Sequence, residues 1–244
     1  MLSRAQRIAD DTVGDVRWVV EGSAILVGLA TAFAVPIGVL AAIYLAEYRN
    51  GRLAHSLRLI GELLGGVPSI VIGIFAYHVI VMPMIAATDG RVRFSAWAGS
   101  FALGVMMLPI VMRASEEALK LVPRNIRQAS LALGASHWQT VVRITVPAAL
   151  PAMITAVCLA VARIAGETAP LLLTATDYRT FPSSPSDPTP SVPVLIYKYS
   201  ISPYPDWHRK AWAAALVLMV VIMLLNFGIR RLAGQRVIAA SRAD

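Results

Sequence analysis

Residues 123–147, PRNIRQASLALGASHWQTVVRITVP, form a polar interruption between strongly apolar stretches and still have helical order of their own. Three apolar side chains recur at helical spacing and share one face: Ile126, Ala129 and Leu133. Gly134 is expected to end this helix, because glycine readily adopts the left-handed conformation common at helix C-termini. Ser136 and Gln139 have the spacing of a capping box that opens a second helix. The segment therefore predicts two short amphipathic helices joined at a glycine.

The composition of the whole chain is that of a membrane protein. Of the 244 residues, 57% are hydrophobic and only 15% are charged, whereas soluble domains carry about 25% charged residues. The net charge of +8 could suit nucleic acid, but the basic residues flank apolar stretches instead of forming one patch. Cys158 is the single cysteine, so no disulfide can form within the chain. The sequence contains no metal-ligand cluster.

Five apolar stretches are long enough to cross about 30 Å of hydrocarbon. They are predicted at residues 19–46, 59–87, 96–112, 148–174 and 211–232. The expected fold class is therefore all-α, a polytopic helical bundle in the membrane. We divide the chain into a polar N-terminal segment (1–18), a membrane domain that includes a long outer loop at 175–210 (19–232), and a basic cytoplasmic tail (233–244).

Two charged residues, Arg163 and Glu167, lie within the fourth predicted span. An ionised side chain at the centre of a span costs about 2.5–3.5 kcal/mol on insertion scales, so such groups usually face a polar interior. Their spacing of four predicts neighbours on one helical face. They could be a self-neutralising pair that anchors helix packing. They could instead form a polar line along a translocation path, with Arg163 exposed to an anionic substrate.

Other features near the predicted span ends allow a purely structural explanation as well. Arg113 closes the third span, where orientation alone already predicts a basic residue. Glu62 lies near the start of the second span and needs no further explanation if it sits at the membrane interface. Gly65 and Gly66, followed by Pro68, are expected to weaken or break that helix. Helix packing explains these glycines as well as substrate binding does.

The segment 123–147 resembles the EAA loop of ABC importer permeases, E-A-A-x3-G-x9-I-x-L-P. The spacing matches at every position, with Gln, Ser and Val in place of Glu, the second Ala and Leu. The matching positions are Gln128, Ala129, Ser130, Gly134, Ile144, Val146 and Pro147. In that family the loop docks into a groove on the ATPase subunit, so we call residues 123–147 the coupling loop. On periodicity alone, an ordinary amphipathic loop is an equal alternative.

Five further motifs are similar to those of PstA-type permease subunits of bacterial phosphate ABC importers: YLAEY at 44–48, VPSIVIG at 67–73, PIVMR at 109–113, LKLVP at 119–123 and ARIAGETAPL at 162–171. The resemblance covers roughly residues 22–229. It implies the type I ABC importer permease fold of the binding-protein-dependent transport family, in the bacterial plasma membrane. It also implies that Arg113 and Arg163 line a phosphate path, with Glu167 competing for Arg163.

The same resemblance implies an ABC ATPase dimer, a second, PstC-like permease subunit, an extracytoplasmic phosphate-binding protein and inorganic phosphate as partners, within membrane lipid and without nucleic acid. The sequence has no G-x-x-x-x-G-K-[ST] phosphate loop, so ATP is expected to be used by the partner. No catalytic residue, metal or cofactor is expected in the chain itself. Two alternatives stay open: a permease for another oxyanion, and a stand-alone carrier that uses Arg163 and Glu167 as an ion-coupled relay.

Basic residues place the coupling loop on the cytoplasmic side, because translocating arginine and lysine is disfavoured. Twelve lie on that side and six on the other. Five spans with an inside tail leave the N-terminus outside, whereas the related permeases have six spans. We therefore expect one N-terminal span to be missing, through a late start or a lost helix. The outer loop 175–210, rich in proline and aromatic residues, could anchor at the interface or contact the binding protein.

Overall fold

A computed structural model describes the backbone of residues 2–48, 51–90, 94–175, 184 and 186–241, and their side chains except in 2–17, 225 and 229–241. All regular structure in this part is helical, as the all-α prediction requires. The helices are α1 Leu2–Glu47, α2 Arg52–Gly66, α3 Ser69–Ala87, α4 Ala96–Lys120, α5 Arg124–Ala132, α6 His137–Ile164, α7 Ala169–Thr174, α8 Val192–Ser200 and α9 Pro205–Ser241.

Five stretches of the described chain are long and apolar enough to cross a membrane, which confirms the predicted number. They are Trp18–Glu47, Ser69–Ala87, Ala96–Lys120, His137–Ile164 and Pro205–Gly228. In the most apolar window of α4, 61% of the residues are buried, against 12–28% in the other four. The other four therefore leave most of their apolar surface to lipid or to partner chains.

The second predicted span, 59–87, is interrupted. Helix α2 ends at Gly66 and α3 begins at Ser69. Between them Pro68 is extended, with φ −57° and ψ 138°, because proline lacks the N–H that would continue the helix and disfavours helical backbone in the residue before it. The expected break at the Gly-Gly-Val-Pro sequence is confirmed.

The predicted bounds of the fourth span, 148–174, are wrong at both ends. Helix α6 begins earlier, at His137, and runs from the coupling loop directly into the span. Its Val141–Thr145 segment is a π-helical turn. This wider turn lies just before Pro147 and leaves room for a ring that would otherwise clash with the preceding helical turn. Helix α6 then ends at Ile164, and the short α7 follows as a separate element.

The chain forms two compact units. The first comprises Met1–Phe33, Val67–Met106 and Arg163–Met223. Its helices approach closely where side chains are small: a Cβ added to Gly73 of α3 would lie 2.8 Å from Pro170 Cα of α7. Within the same unit the Ser100 hydroxyl of α4 donates a 3.0 Å hydrogen bond to the Leu26 carbonyl of α1.

The second unit comprises Ala34–Gly66, Met107–Ala162 and Leu224–Asp244. Alanines let α1, α4 and α6 pack closely, since small residues permit close backbone approach. Their shared core is formed by Ala42, Ala46, Ala118, Leu119, Val122, Ala149 and Met153. A second cluster of Leu45, Ala54 and Met112 joins α2 to α1 and α4. This unit carries the coupling loop and positions it at the ends of α1 and α4.

Candidate functional site

The first helix of the coupling loop, α5, ends as the sequence predicts. Gly134 has φ +87°, and its N–H donates to the Leu131 carbonyl at 3.0 Å. The next N–H, of Ala135, donates to the Ser130 carbonyl at 3.2 Å. This pair of bonds is a Schellman motif, which satisfies the last carbonyls of the helix and reverses the chain.

The predicted capping box at the start of α6 is also present. The Gln139 N–H donates to Ser136 Oγ at 3.3 Å, and the Ser136 N–H donates to Gln139 Oε1 at 2.9 Å. The buried hydroxyls of Ser130 and Thr140 lie 2.9 Å apart and share a hydrogen bond. The two short helices are therefore fixed to each other by polar contacts across the glycine turn.

The apolar face of the coupling loop points away from the chain's own core. Ile126 and Leu133 are 44% and 89% exposed, and Trp138 is 70% exposed. Of the positions that match the EAA pattern, Ser130 is buried and Ile144 is half-buried, whereas the remaining predicted coupling residues are exposed: Gln128, Ala129, Gly134 and Pro147. Such a surface suits a partner with a complementary apolar groove.

One carboxylate, that of Glu47 at the end of α1, holds the loop in place. Its Oε1 lies 2.7 Å from Arg127 Nη1, and its Oε2 lies 3.3 Å from His137 Nε2. Arg127 Nη2 also donates to the Leu119 carbonyl at 2.7 Å. Sequence reasoning missed this role; Glu47 stood out only as part of the YLAEY motif.

A second buried carboxylate, Glu116 of α4, was also missed. Its side chain is 7% exposed, and its Oε1 lies 3.1 Å from Arg58 Nη2 and 2.7 Å from Lys120 Nζ. Arg58 in addition donates to the Leu45 carbonyl at 3.0 Å. These bonds tie α2 to α1 and to the end of α4, which immediately precedes the coupling loop. They also give the buried Glu116 charge the partners it requires.

A cavity of about 200 Å³ lies against the coupling loop. Two buried polar atoms of its lining residues, Arg127 Nε and Thr145 Oγ1, make no hydrogen bond within the described residues. The space is large enough for water, and charged and polar side chains are among the residues that line it. Its lining comprises Glu47, Arg124, Arg127, Gln128, Leu131, His137, Thr140, Val141 and Thr145.

The predicted pairing of Arg163 with Glu167 on one helical face is wrong. Helix α6 ends at Ile164, and a turn follows in which the Glu167 N–H donates to the Ile164 carbonyl at 3.1 Å. Gly166 lies within that turn and favours the helix end. Over the described residues, the exposed Arg163 guanidinium has no ion pair and no hydrogen bond, and Glu167 is half-buried.

Arg113 lies in the second unit, whereas Arg163 and Glu167 lie in the first. Arg113 Nη2 is 3.7 Å from Glu62 Oε1, and the two side chains are 50% and 65% exposed. An exposed pair at this distance is worth about 0–1 kcal/mol. Both predicted path arginines therefore keep most of their capacity to bind an anion.

Residues 34–238 match the family described as "Binding-protein-dependent transport system inner membrane component". The chain belongs to this family. The match contains the coupling loop, both predicted path arginines and Glu47. Members of this family are membrane components of ABC importers, which work with ATPase and binding-protein partners and are not themselves enzymes. The chain is accordingly a multi-pass protein of the inner membrane.

The chain is similar to curated members of the family over most of its length. It is 44% identical over 206 residues to the phosphate transport system permease protein PstA of Haemophilus influenzae, covering 84% of this chain and 71% of that protein. It is 36% identical over 224 residues to PstA 1 of Mycobacterium tuberculosis, covering 90% and 70%.

Solved structures of ABC transporters share the fold. An inward-facing MetNI methionine ABC transporter matches with a TM-score of 0.69 at 19% identity, over 91% of this chain and 94% of that one. A bacterial alginate ABC transporter matches with a TM-score of 0.63 at 15% identity, over 88% and 78%. The chain thus has the type I ABC importer permease fold that its motifs predict.

Proposed function

We propose that this chain is the permease subunit of an ATP-driven importer that moves inorganic phosphate into the cell, while a partner subunit hydrolyses ATP. The observation that carries the proposal is the Arg163 guanidinium, exposed at the end of an apolar span and without an ion partner in the described part of the chain. Relatives 36–44% identical to this chain are phosphate transport permeases by name, which favours phosphate over another oxyanion.

Guanidinium chemistry suits this substrate. Arginine stays charged at every relevant pH and can donate two parallel hydrogen bonds to phosphate oxygens. A conducting path must also release its ion, so each site has to bind weakly. We assign the binding steps to Arg163 and Arg113. Glu167, which follows the end of α6 and is half-buried, adds negative charge that weakens anion binding near Arg163.

The coupling loop is the element we propose to dock on an ABC ATPase dimer. Its exposed Ile126, Leu133 and Trp138 supply the apolar anchors that a helix-in-groove contact needs. Gln128 takes the place of a glutamate in the family pattern, so docking should depend on apolar contact more than on charge. A second, PstC-like permease subunit and an extracytoplasmic phosphate-binding protein complete the proposed importer, and the coupling loop faces the cytoplasm.

Uptake of radiolabelled phosphate into proteoliposomes that contain the complete importer tests the proposal. Arg163→Gln should lower uptake more than tenfold, since a charge-assisted hydrogen bond contributes about 1.5–3 kcal/mol. Arg52→Gln, at an exposed position of α2, is the matched control and should transport normally. Normal uptake by Arg163→Gln at normal membrane abundance would remove Arg163 from the path.

Two controls separate the alternatives. Excess unlabelled sulfate should leave phosphate uptake unchanged; if it abolishes uptake, the importer accepts sulfate as well and is not specific for phosphate. Omitting the ATPase while imposing a proton gradient should stop uptake. Uptake that continues under these conditions would identify an ion-coupled carrier, a mechanism already disfavoured because Arg163 and Glu167 do not pair on one helix.

A further inference from the structure

We infer that Glu47 is a positioning residue that clamps both helices of the coupling loop to the end of α1, so that α1 follows the loop during each transport cycle. The inference rests on the proposed function in one respect, namely that the loop is the part moved by the ATPase. It concerns the route by which that motion reaches the membrane spans.

The two oxygens of the Glu47 carboxylate are divided between the two helices of the loop. Oε1 contacts Arg127 of α5, and Oε2 contacts His137, the first residue of α6. These two contacts thus lie on either side of the turn at Gly134. A single side chain of α1 therefore prevents either helix from swinging about this turn independently of α1.

The Arg127 half of the clamp is protected from solvent and is a direct hydrogen bond of 2.7 Å, whereas the His137 half is a 3.3 Å contact to a side chain that is 58% exposed. The Glu47 side chain is 9% exposed and the Arg127 side chain 19%. Charge-assisted hydrogen bonds gain strength where water is excluded, because the local dielectric is low. By contrast, the Arg113–Glu62 pair at 3.7 Å is at least half exposed on both sides and offers no such rigid link.

Arg127 extends the clamp to a second span. Its Nη2 donates to the Leu119 carbonyl in the last turn of α4, and Leu119 belongs to the same core as Ala42 and Ala46 of α1. One guanidinium thus joins α5 to the adjoining ends of α1 and α4. Along the chain, Glu47 and Arg127 are 80 residues apart, so no short covalent path could transmit the movement from α5 to α1.

Double electron–electron resonance measures the clamp directly in the assembled importer. Spin labels are placed at Leu40→Cys on α1 and Asn125→Cys on α5, both exposed positions, with Cys158→Ala removing the native thiol. The distance distribution is recorded without nucleotide and after trapping with ATP and vanadate. With Glu47 present, the distribution should be narrow and equal in the two states.

Glu47→Ala should broaden this distribution and make it differ between the two states. It should also retain ATP hydrolysis while lowering phosphate uptake at least tenfold, because hydrolysis no longer moves α1. Glu47→Gln, which keeps the shape and one acceptor oxygen but loses the charge and the second acceptor, should be intermediate and serves if the alanine variant fails to assemble. Glu117→Ala, at an exposed glutamate of α4 with no ion pair in the described residues, should match the parent.

The inference is overturned if Glu47→Ala, or Glu47→Gln where alanine does not assemble, keeps the parent's narrow distribution in both states. It is also overturned if uptake and hydrolysis fall in equal proportion. Because the distance measurement does not involve phosphate, an importer that carries another substrate would refute the proposed function and leave this test intact. Conversely, normal phosphate uptake by the parent with an unchanged Glu47→Ala distribution would refute the clamp alone.

Discussion

Replacing Gly134 by alanine should weaken docking of the coupling loop on the ATPase without creating a clash with any residue beyond its two chain neighbours. Gly134 has φ +87°, and a Cβ added there would meet nothing within 4 Å. The entire effect must therefore come from the backbone. An L-residue in the left-handed region costs about 1–2 kcal/mol, because its Cβ approaches the following carbonyl oxygen.

The free loop can relieve this strain by leaving the Schellman geometry, and binding then has to restore it. The strain therefore appears as lost affinity. At 1.4 kcal/mol per tenfold change, a loss of 1–2 kcal/mol raises the dissociation constant roughly 5- to 30-fold. Biolayer interferometry between the purified ATPase and the permease pair in nanodiscs measures this constant directly.

Two further variants isolate the cause. Gly134→Asn should lie between glycine and alanine, because asparagine tolerates the left-handed conformation. Gly28→Ala, at an exposed helical position with nothing within 4 Å of the new Cβ, should leave affinity unchanged. If Gly134→Ala binds as tightly as the parent, the loop does not dock in this conformation. If asparagine is worse than alanine, backbone strain is not the cause.

Three stability changes can be read from thermal unfolding of the purified complex. Thr145→Val should raise the unfolding midpoint by a few degrees, because a buried hydroxyl without a partner in the described residues costs about 1–3 kcal/mol. A lower midpoint would mean that Thr145 Oγ1 has a partner in the complex. Gly73→Ala should lower the unfolding midpoint, because the new Cβ would lie 2.8 Å from Pro170 Cα and overpacking costs about 1–3 kcal/mol. An unchanged midpoint would show that α3 and α7 can move apart without loss of stability. Glu116→Gln should also lower the unfolding midpoint, because Arg58 and Lys120 lose their counter-charge. Glu117→Gln, at an exposed position, should not lower it. Equal effects of the two changes would argue that the Glu116 ion pairs do not stabilise the protein.

The coupling loop was predictable because its signals are local. A glycine at C′ and a Ser–Gln capping box each act through bonds that span five residues or fewer, so the sequence alone specifies them. The helix boundaries of the fourth span were less predictable. Apolarity continues through residues 165–174 and hides a break at Gly166, while the π turn before Pro147 lets α6 continue where proline would ordinarily mark a boundary.

The roles of the arginines could not be assigned from sequence for a different reason. Arg58 and Arg127 both border apolar segments on the predicted cytoplasmic side, and the preference for basic residues on that side explains the two equally well, whereas Arg163 lies at the other end of its span. Their partners distinguish them: Arg58 bonds to Glu116, 58 residues away, and Arg127 bonds to Glu47, 80 residues away. Such pairings depend on tertiary packing and leave no periodic trace in the sequence.

The difference between arginines with and without a bonded carboxylate has a functional consequence. An arginine already bonded to a carboxylate and a backbone carbonyl has little capacity left for a passing anion, because its donors are committed and its charge is compensated. Arg127 meets this description through Glu47 and Leu119. Arg163, exposed and without such bonds over the described residues, does not. Removing Arg127 should therefore disturb coupling to ATP hydrolysis and leave phosphate recognition intact. Removing Arg163 should weaken phosphate recognition and leave coupling intact. A variant that lacks both arginines should show the two losses independently.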